Sequence, residues 1–169
     1  MRSATSLTGK RIISVDNGTN LGTVKDVYFD TDVNSVIGLF LGNQGLWTRK
    51  ANLIPRSAVT LFGKDAILVS QSDVVTDNTQ TDSEWIRRDR LPGRLITSAG
   101  GTKVATISDT LIDGEGAVKG FMLAMIFVDS PATAGRFISR DVVLDVGSAT
   151  SPMKIDLAKA EEQHSSSEE

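Results

Sequence analysis

The chain has 169 residues, 40% hydrophobic, 23% charged and 5% aromatic, with a formal net charge of -3. Those fractions suit an ordinary packed core, but one built from Val, Ile and Leu rather than from rings. An acidic balance without a basic block at either end argues against a general nucleic-acid binder, which recruits clustered Lys and Arg. The lack of cysteine excludes a disulfide framework, a thiolate metal site and a cysteine nucleophile together.

The length fits one large domain or two small ones. Residues 1–10 are polar and carry no apolar signal core. The longest apolar run, Phe121 to Val128, is far short of the roughly 20 residues of a spanning helix. A soluble, cytoplasmic protein without a transmembrane segment is expected.

In chain order, Ile12 to Val15 reads as a short β-branched strand. The Asp16-Asn17-Gly18 turn supplies the Asn-Gly hairpin signal. Leu21 to Phe29 follows as a strand with Leu21, Val27 and Phe29 on one side. Val36 to Leu41 is apolar enough for a central, doubly covered strand. Leu53-Ile54-Pro55, Ala58 to Phe62 and Ala66 to Val69 complete a first set. Gln71 to Ser83 has the Ser, Thr, Asp, Asn and Gln of an exposed connection, after which Asp82 or Ser83 can cap a short helix.

From Gly93 the pattern begins again. Gly93-Arg94-Leu95-Ile96 answers Gly9-Lys10-Arg11-Ile12, and Val104 to Thr110 answers Leu21 to Val27. Ala117 to Val128 is the second dense apolar strand, and Phe137-Ile138-Ser139-Arg140-Asp141-Val142-Val143 answers Leu53-Ile54-Pro55-Arg56-Ser57-Ala58-Val59. The offset stays at 82–84 residues throughout, which points to a duplication. Gly22, Gly38 and Gly120 inside strands are expected at bulges or barrel bends. Asp156 can cap a helix over Leu157 to Gln163, leaving His164 to Glu169 as a disordered tail.

The residues Leu7-Thr8-Gly9-Lys10, Asn17-Gly18, Leu21-Gly22-Thr23-Val24-Lys25-Asp26-Val27 and Ile54-Pro55-Arg56-Ser57-Ala58-Val59 resemble the PRC-barrel family. That family includes the soluble domain of the photosynthetic reaction-centre H subunit and the C-terminal domain of a ribosome-maturation protein. The second copy is similar but looser, with Ala105 where the family favours Gly and Ser139 where it favours Pro. The resemblance implies an all-β protein of two tandem small PRC-type β-barrels, with short helical segments in the linker and at the C-terminus. It assigns 1–71 to the first barrel, 72–90 to the linker, 91–163 to the second barrel with its helix, and 164–169 to the tail. It implies a docking or assembly module without a cofactor.

Chemistry-bearing patterns are sparse. His164, the single histidine, sits in a polar stretch and has no placed second group to make it a base or ligand. Serine catalysis then lacks an internal histidine. Asp30-Thr31-Asp32 opens like a calcium loop, but Ser35 and Leu41 occupy the places that require Gly and Glu, so a hairpin turn is expected. Asp26 and Asp109 recur at matching places; a structural role in accepting turn hydrogen bonds is expected over a catalytic pair, which must lie a few ångströms apart. Gly42-Asn43-Gln44-Gly45 lacks the residues of a phosphate loop. No catalytic, cofactor or metal residue is assigned, and no cofactor is expected.

The candidate partner surface is Trp85 with Arg87 and Arg88, in a cluster that runs on to Arg90 and Arg94, together with Trp47 and Arg49. Arg–Trp patches anchor protein partners or RNA; alternatively these charges flank a linker and pair with Glu84 and Asp89. The functional expectation is a non-enzymatic interaction, assembly or structural module, with a protein partner or a second copy of the chain. The alternatives are an RNA- or ribosome-linked assembly factor and a carboxylate-based enzyme.

Overall fold

The computed structural model describes residues 1–43, 51–78 and 84–166. Strands make up 47% of the described residues and helices are few and short, so the all-β expectation holds. The chain divides into two compact units: unit 1 is Met1–Arg88 with Ile112–Ala117, and unit 2 is Asp89–Leu111 with Val118–Glu169.

Unit 1 holds β1 (Arg2–Ser3), β2 (Arg11–Ser14), β3 (Asn20–Thr23), β4 (Asp26–Phe29), β5 (Val36–Asn43), β6 (Ala51–Pro55), β7 (Val59–Phe62), β8 (Ala66–Val69), β9 (Thr76–Asn78) and β10 (Ile86–Arg87). Of these, β2 to β10 form two sheets, β3-β2-β8-β7 and β10-β4-β5-β6-β9. β2 and β8 pair in parallel with Ile12 opposite Ile67, while the hairpin β2–β3 slips by one residue at Gly22, whose φ is 123°. That slip is the bulge expected there. Val27 and Phe29 bury into the main core with Ile12, Leu39, Ile54, Phe62 and Ile67. The other face of β4 carries Asp26 and Tyr28, as period-two alternation requires.

Unit 2 holds β11 (Leu95–Ser98), β12 (Lys103–Ile112), β13 (Val118–Ile126), β14 (Phe137–Ser139), β15 (Val143–Asp145) and β16 (Met153–Ile155), with helices α1 (Pro131–Ala134) and α2 (Leu157–Ser165). Its strands run in the order β14-β13-β12-β11-β16-β15. The final residue of β12 and the turn after it, Ile112–Ala117, are counted with unit 1. β11 and β16 pair in parallel with Ile96 opposite Met153, as β2 and β8 do in unit 1. Local hydrogen bonds recur as well: Gly9 donates to the Val24 carbonyl at 2.8 Å and Gly93 to that of Ile107 at 2.7 Å. Lys10 N–H reaches the Leu7 carbonyl and Arg94 N–H the Leu91 carbonyl, at 3.3 and 3.0 Å.

Two expectations are corrected. Among the described residues no closed barrel forms: the sheets of unit 1 and the six-strand path of unit 2 keep free ends. In unit 1 the chain leaves one ladder at residues 24–25, so the consecutive strands β3 and β4 fall in different sheets. The segment read as a linker supplies strands: β9 pairs with β6 and β10 with β4. Its polar composition suits edge strands, which need only one covered face. Gly38 sits at a register slip, with Tyr28 opposite Gly38 and Phe29 opposite Val36, as expected of a glycine at a bulge; a Cβ there would stand 3.4 Å from the Trp85 ring, and one at Gly120 would stand 2.5 Å from the Phe137 ring. Both glycines make room for an aromatic above the strand.

The expected helix start at Asp82 or Ser83 lies outside the described residues, and Glu84 to Arg90 runs through a turn, β10 and a 3₁₀ turn. At the other end, Asp156 does cap α2, accepting from the Lys159 N–H at 3.0 Å, and the helix continues through His164 to Ser165. Asp30 and Asp113 sit in hairpin turns, accepting from the N–H groups of Asn34 at 2.6 Å and of Glu115 and Ala117 at 2.9 Å.

Candidate functional site

Unit 1 assembles a compact aromatic and charged face on the side of β4 that points away from the main core. Tyr28, Phe40 and Leu53 form a buried cluster, with Ile37 and Trp85 packed against it. The Tyr28 ring meets Phe40 edge-on at 6.0 Å and lies 5.8 Å from Trp85. β10 brings Trp85 and Arg87 here by pairing Ile86 with Phe29 and Arg87 with Tyr28. The Arg87 guanidinium lies 4.8 Å above the Phe40 ring, a cation–π distance.

Asp26 anchors this face. It is 1% exposed and accepts from its neighbour Val27 N–H at 2.8 Å. Arg88 Nε donates to its Oδ1 at 2.7 Å and Arg87 Nε to its Oδ2 at 3.2 Å. Arg88 also donates from Nη1 to the Thr5 hydroxyl at 3.1 Å. A buried carboxylate must be charge-paired or hydrogen-bonded to be tolerated, and this one is both. Asp109 in unit 2 repeats the local part of the arrangement, accepting from Thr110 N–H at 2.7 Å.

Of the predicted surface, Trp85, Arg87 and Arg88 come together, but the two arginines are engaged by Asp26 rather than standing as free charge. Arg90 and Arg94 belong to unit 2, and Trp47 and Arg49 lie outside the described residues. Sequence reasoning missed the parts of the site that come from β4 and β5: Asp26 as the shared acceptor, and Tyr28 and Phe40 as the bed for Trp85. The available signal was the alternation in β4, which places Asp26 and Tyr28 on one face.

His164 sits on the last turn of α2, its Cε1 3.4 Å from where a side chain on Gly135 would begin. Among the described residues no group of three His, Cys, Asp or Glu side chains is placed to hold a metal ion. None of the described helices is long and apolar enough to cross a membrane.

Residues 1–75 match the model of the PRC-barrel domain, the family that the first copy resembles. No curated protein matches the chain.

Proposed function

We propose that the chain is a non-catalytic docking module built of two PRC-type units, and that unit 1 engages a protein partner through Trp85 and Arg87. The observation that carries this reading is the fixed pose of those two side chains. Trp85 is half-buried on Tyr28 over Gly38, and Arg87 is held at once by Asp26 and the Phe40 ring. Trp, Tyr and Arg held rigid before binding lose little side-chain entropy on docking and dominate interface energetics. Support for two units of one kind comes from the repeated strand order, the paired parallel ladders and the recurring glycine and basic-residue hydrogen bonds.

The non-catalytic part rests on the state of the acids and bases. Asp26, the one buried carboxylate among the described residues, is occupied by two arginines and an amide. The RNA- or ribosome-linked alternative relies on Arg87 and Arg88 as phosphate contacts, and their engagement with Asp26 weighs against it.

Native affinity purification with the full chain tests the docking face. Trp85→Ala removes the anchor ring, and Glu84→Arg reverses an exposed charge beside it. A genuine partner should be retained by the parent chain and weakened by about 2 kcal/mol, roughly thirtyfold, on loss of the ring. A partner held equally by both variants docks elsewhere, and recovery of RNA or ribosomal proteins would favour the alternative.

A further inference from the structure

Parallel pairing has a geometric result that neither strand reveals alone. In unit 2, β11 and β16 run the same way, so the segments preceding them meet at one end of the sheet. Those segments are residues 90–94 and 146–152. Between them lies an open cleft of about 460 Å³ lined by Arg90, Arg94, Leu95, Ser148, Thr150 and Ser151 among others. No carboxylate lines it.

Unit 1 closes the equivalent end. There the connection between β7 and β8 is only residues 63–65, against residues 146–152 between β15 and β16. Lys10 Nζ and Arg2 Nη1 both donate to the Gly63 carbonyl, at 3.0 and 2.9 Å. Arg94 holds the place of Lys10 in the repeat and makes the same kind of bond, donating from Nη1 to the Val146 carbonyl at 2.8 Å. The longer loop leaves space beyond that bond.

Two features make the space electropositive and rich in donors. Arg94 is half-buried with a neutral carbonyl as its partner, and burial lowers its pKa. A desolvated guanidinium without a counter-ion gains from an anion. Arg90 is exposed, with no hydrogen bond or ion pair among the described residues. The loop folds on Ser148, whose Oγ accepts from Thr150 N–H at 3.2 Å and Ser151 N–H at 3.1 Å. With those lone pairs used, the Ser148 hydroxyl donates to Thr150 Oγ1 at 3.4 Å, which leaves the Thr150 hydroxyl, with that of Ser151, to donate outward.

We propose that this cleft is a phosphoryl-binding site, in which Arg90 and Arg94 neutralise the group and the Thr150 and Ser151 hydroxyls, positioned by Ser148, donate to its oxygens. A planar carboxylate offers two oxygens, whereas a phosphoryl group offers three, carries about -1.5 to -2 charge and fits a convergent set of this size better. The group is either free phosphate or one borne on a phosphorylated peptide. The site stands independently of the docking face on unit 1.

Amide chemical shifts of the full-length chain, followed during titration, test the proposal. The probes are inorganic phosphate, a phosphoserine peptide and its unphosphorylated form, with sodium chloride at matched ionic strength as control. Saturable shifts confined to residues 90–95 and 146–152, absent with chloride, are expected. Arg90→Gln should weaken binding roughly tenfold, the loss of one charge-assisted contact. Because Arg90 is exposed, this variant keeps the fold; Arg94→Gln, which also loses the bond to Val146, is the supporting variant. Tighter binding of the phosphopeptide than of phosphate would identify a peptide-borne group, and equal binding the free ion. The proposal is overturned by shifts that follow chloride equally, by no saturation, or by an affinity that Arg90→Gln leaves unchanged.

Discussion

Asp26 shows how much one buried carboxylate can organise. Its two side-chain oxygens serve Val27, Arg87 and Arg88, so removing it strands two guanidinium groups, one of them only 15% exposed in its side chain. Breaking a buried pair from one side costs about 3–5 kcal/mol. Asp26→Ala should lower the denaturant midpoint accordingly. Arg87→Ala should cost about 1 kcal/mol or less, because Arg87 is the more exposed partner, 36% in its side chain. Equal effects of the two substitutions would contradict this ranking. The residue types of this network are plain in the sequence, but its partners are 61 and 62 residues apart, beyond the reach of any local period.

At the scale of elements, two attachments can be tested. The C-terminal helix α2 docks on the 3₁₀ turn at Arg140–Val142 through Asp141, which accepts from Gln163 Nε2 at 2.6 Å, lies 3.7 Å from Lys159 Nζ and is hydrogen-bonded by the Ser139 hydroxyl. The Ser139 bond, with Gln163 and Lys159 behind it, holds the Asp141 pKa below its usual value of 3.8. A depressed folded-state pKa means that the stabilisation is present above the unfolded value and lost as pH falls through the folded one. The melting temperature of the parent should therefore exceed that of Asp141→Asn at neutral pH, with the gap closing below about pH 4. A gap independent of pH would deny Asp141 that role.

The second attachment is the turn that ends the β12–β13 hairpin. Gly116 has φ 88°, and a Cβ there would lie 3.1 Å from the Phe62 ring and 3.4 Å from Val36 Cβ. Its carbonyl accepts from Val36 N–H at 2.8 Å, and that of Glu115 accepts from Arg56 Nε at 2.8 Å. Gly116→Ala should lower the melting temperature at a cost of about 1 kcal/mol or more, from left-handed backbone and crowding together. Turn chemistry was legible in Asp113-Gly114-Glu115-Gly116; the seat of that turn beside Phe62 was not.

For the whole molecule, unit 1 is discontinuous in sequence, and its stability should depend on residues 112–117. Both tryptophans, Trp47 and Trp85, fall within residues 1–88, so their fluorescence reports on unit 1. A fragment of residues 1–88 should unfold at lower denaturant than the fluorescence transition of the full chain, since it lacks the backbone bonds at Glu115 and Gly116. Coincident midpoints would show that unit 1 is complete without the turn.

By itself the sequence determined what depends on neighbours within a few residues. Alternation in Asp26 to Phe29, the Asn17-Gly18 turn, the Asp156 cap and the recurrence of one pattern at an offset of 82–84 residues are all local or self-referential signals. Tertiary structure decided what depends on contact between distant segments. It recruited polar residues 76–78 and 86–87 as edge strands, set β2 beside β8 and β11 beside β16, left the sheets without barrel closure among the described residues, and placed residues 112–117 in unit 1. The physical reason is that hydrogen-bond ladders and ion pairs are satisfied by whichever group folding brings within about 3 Å, and composition along the chain does not record which group that is.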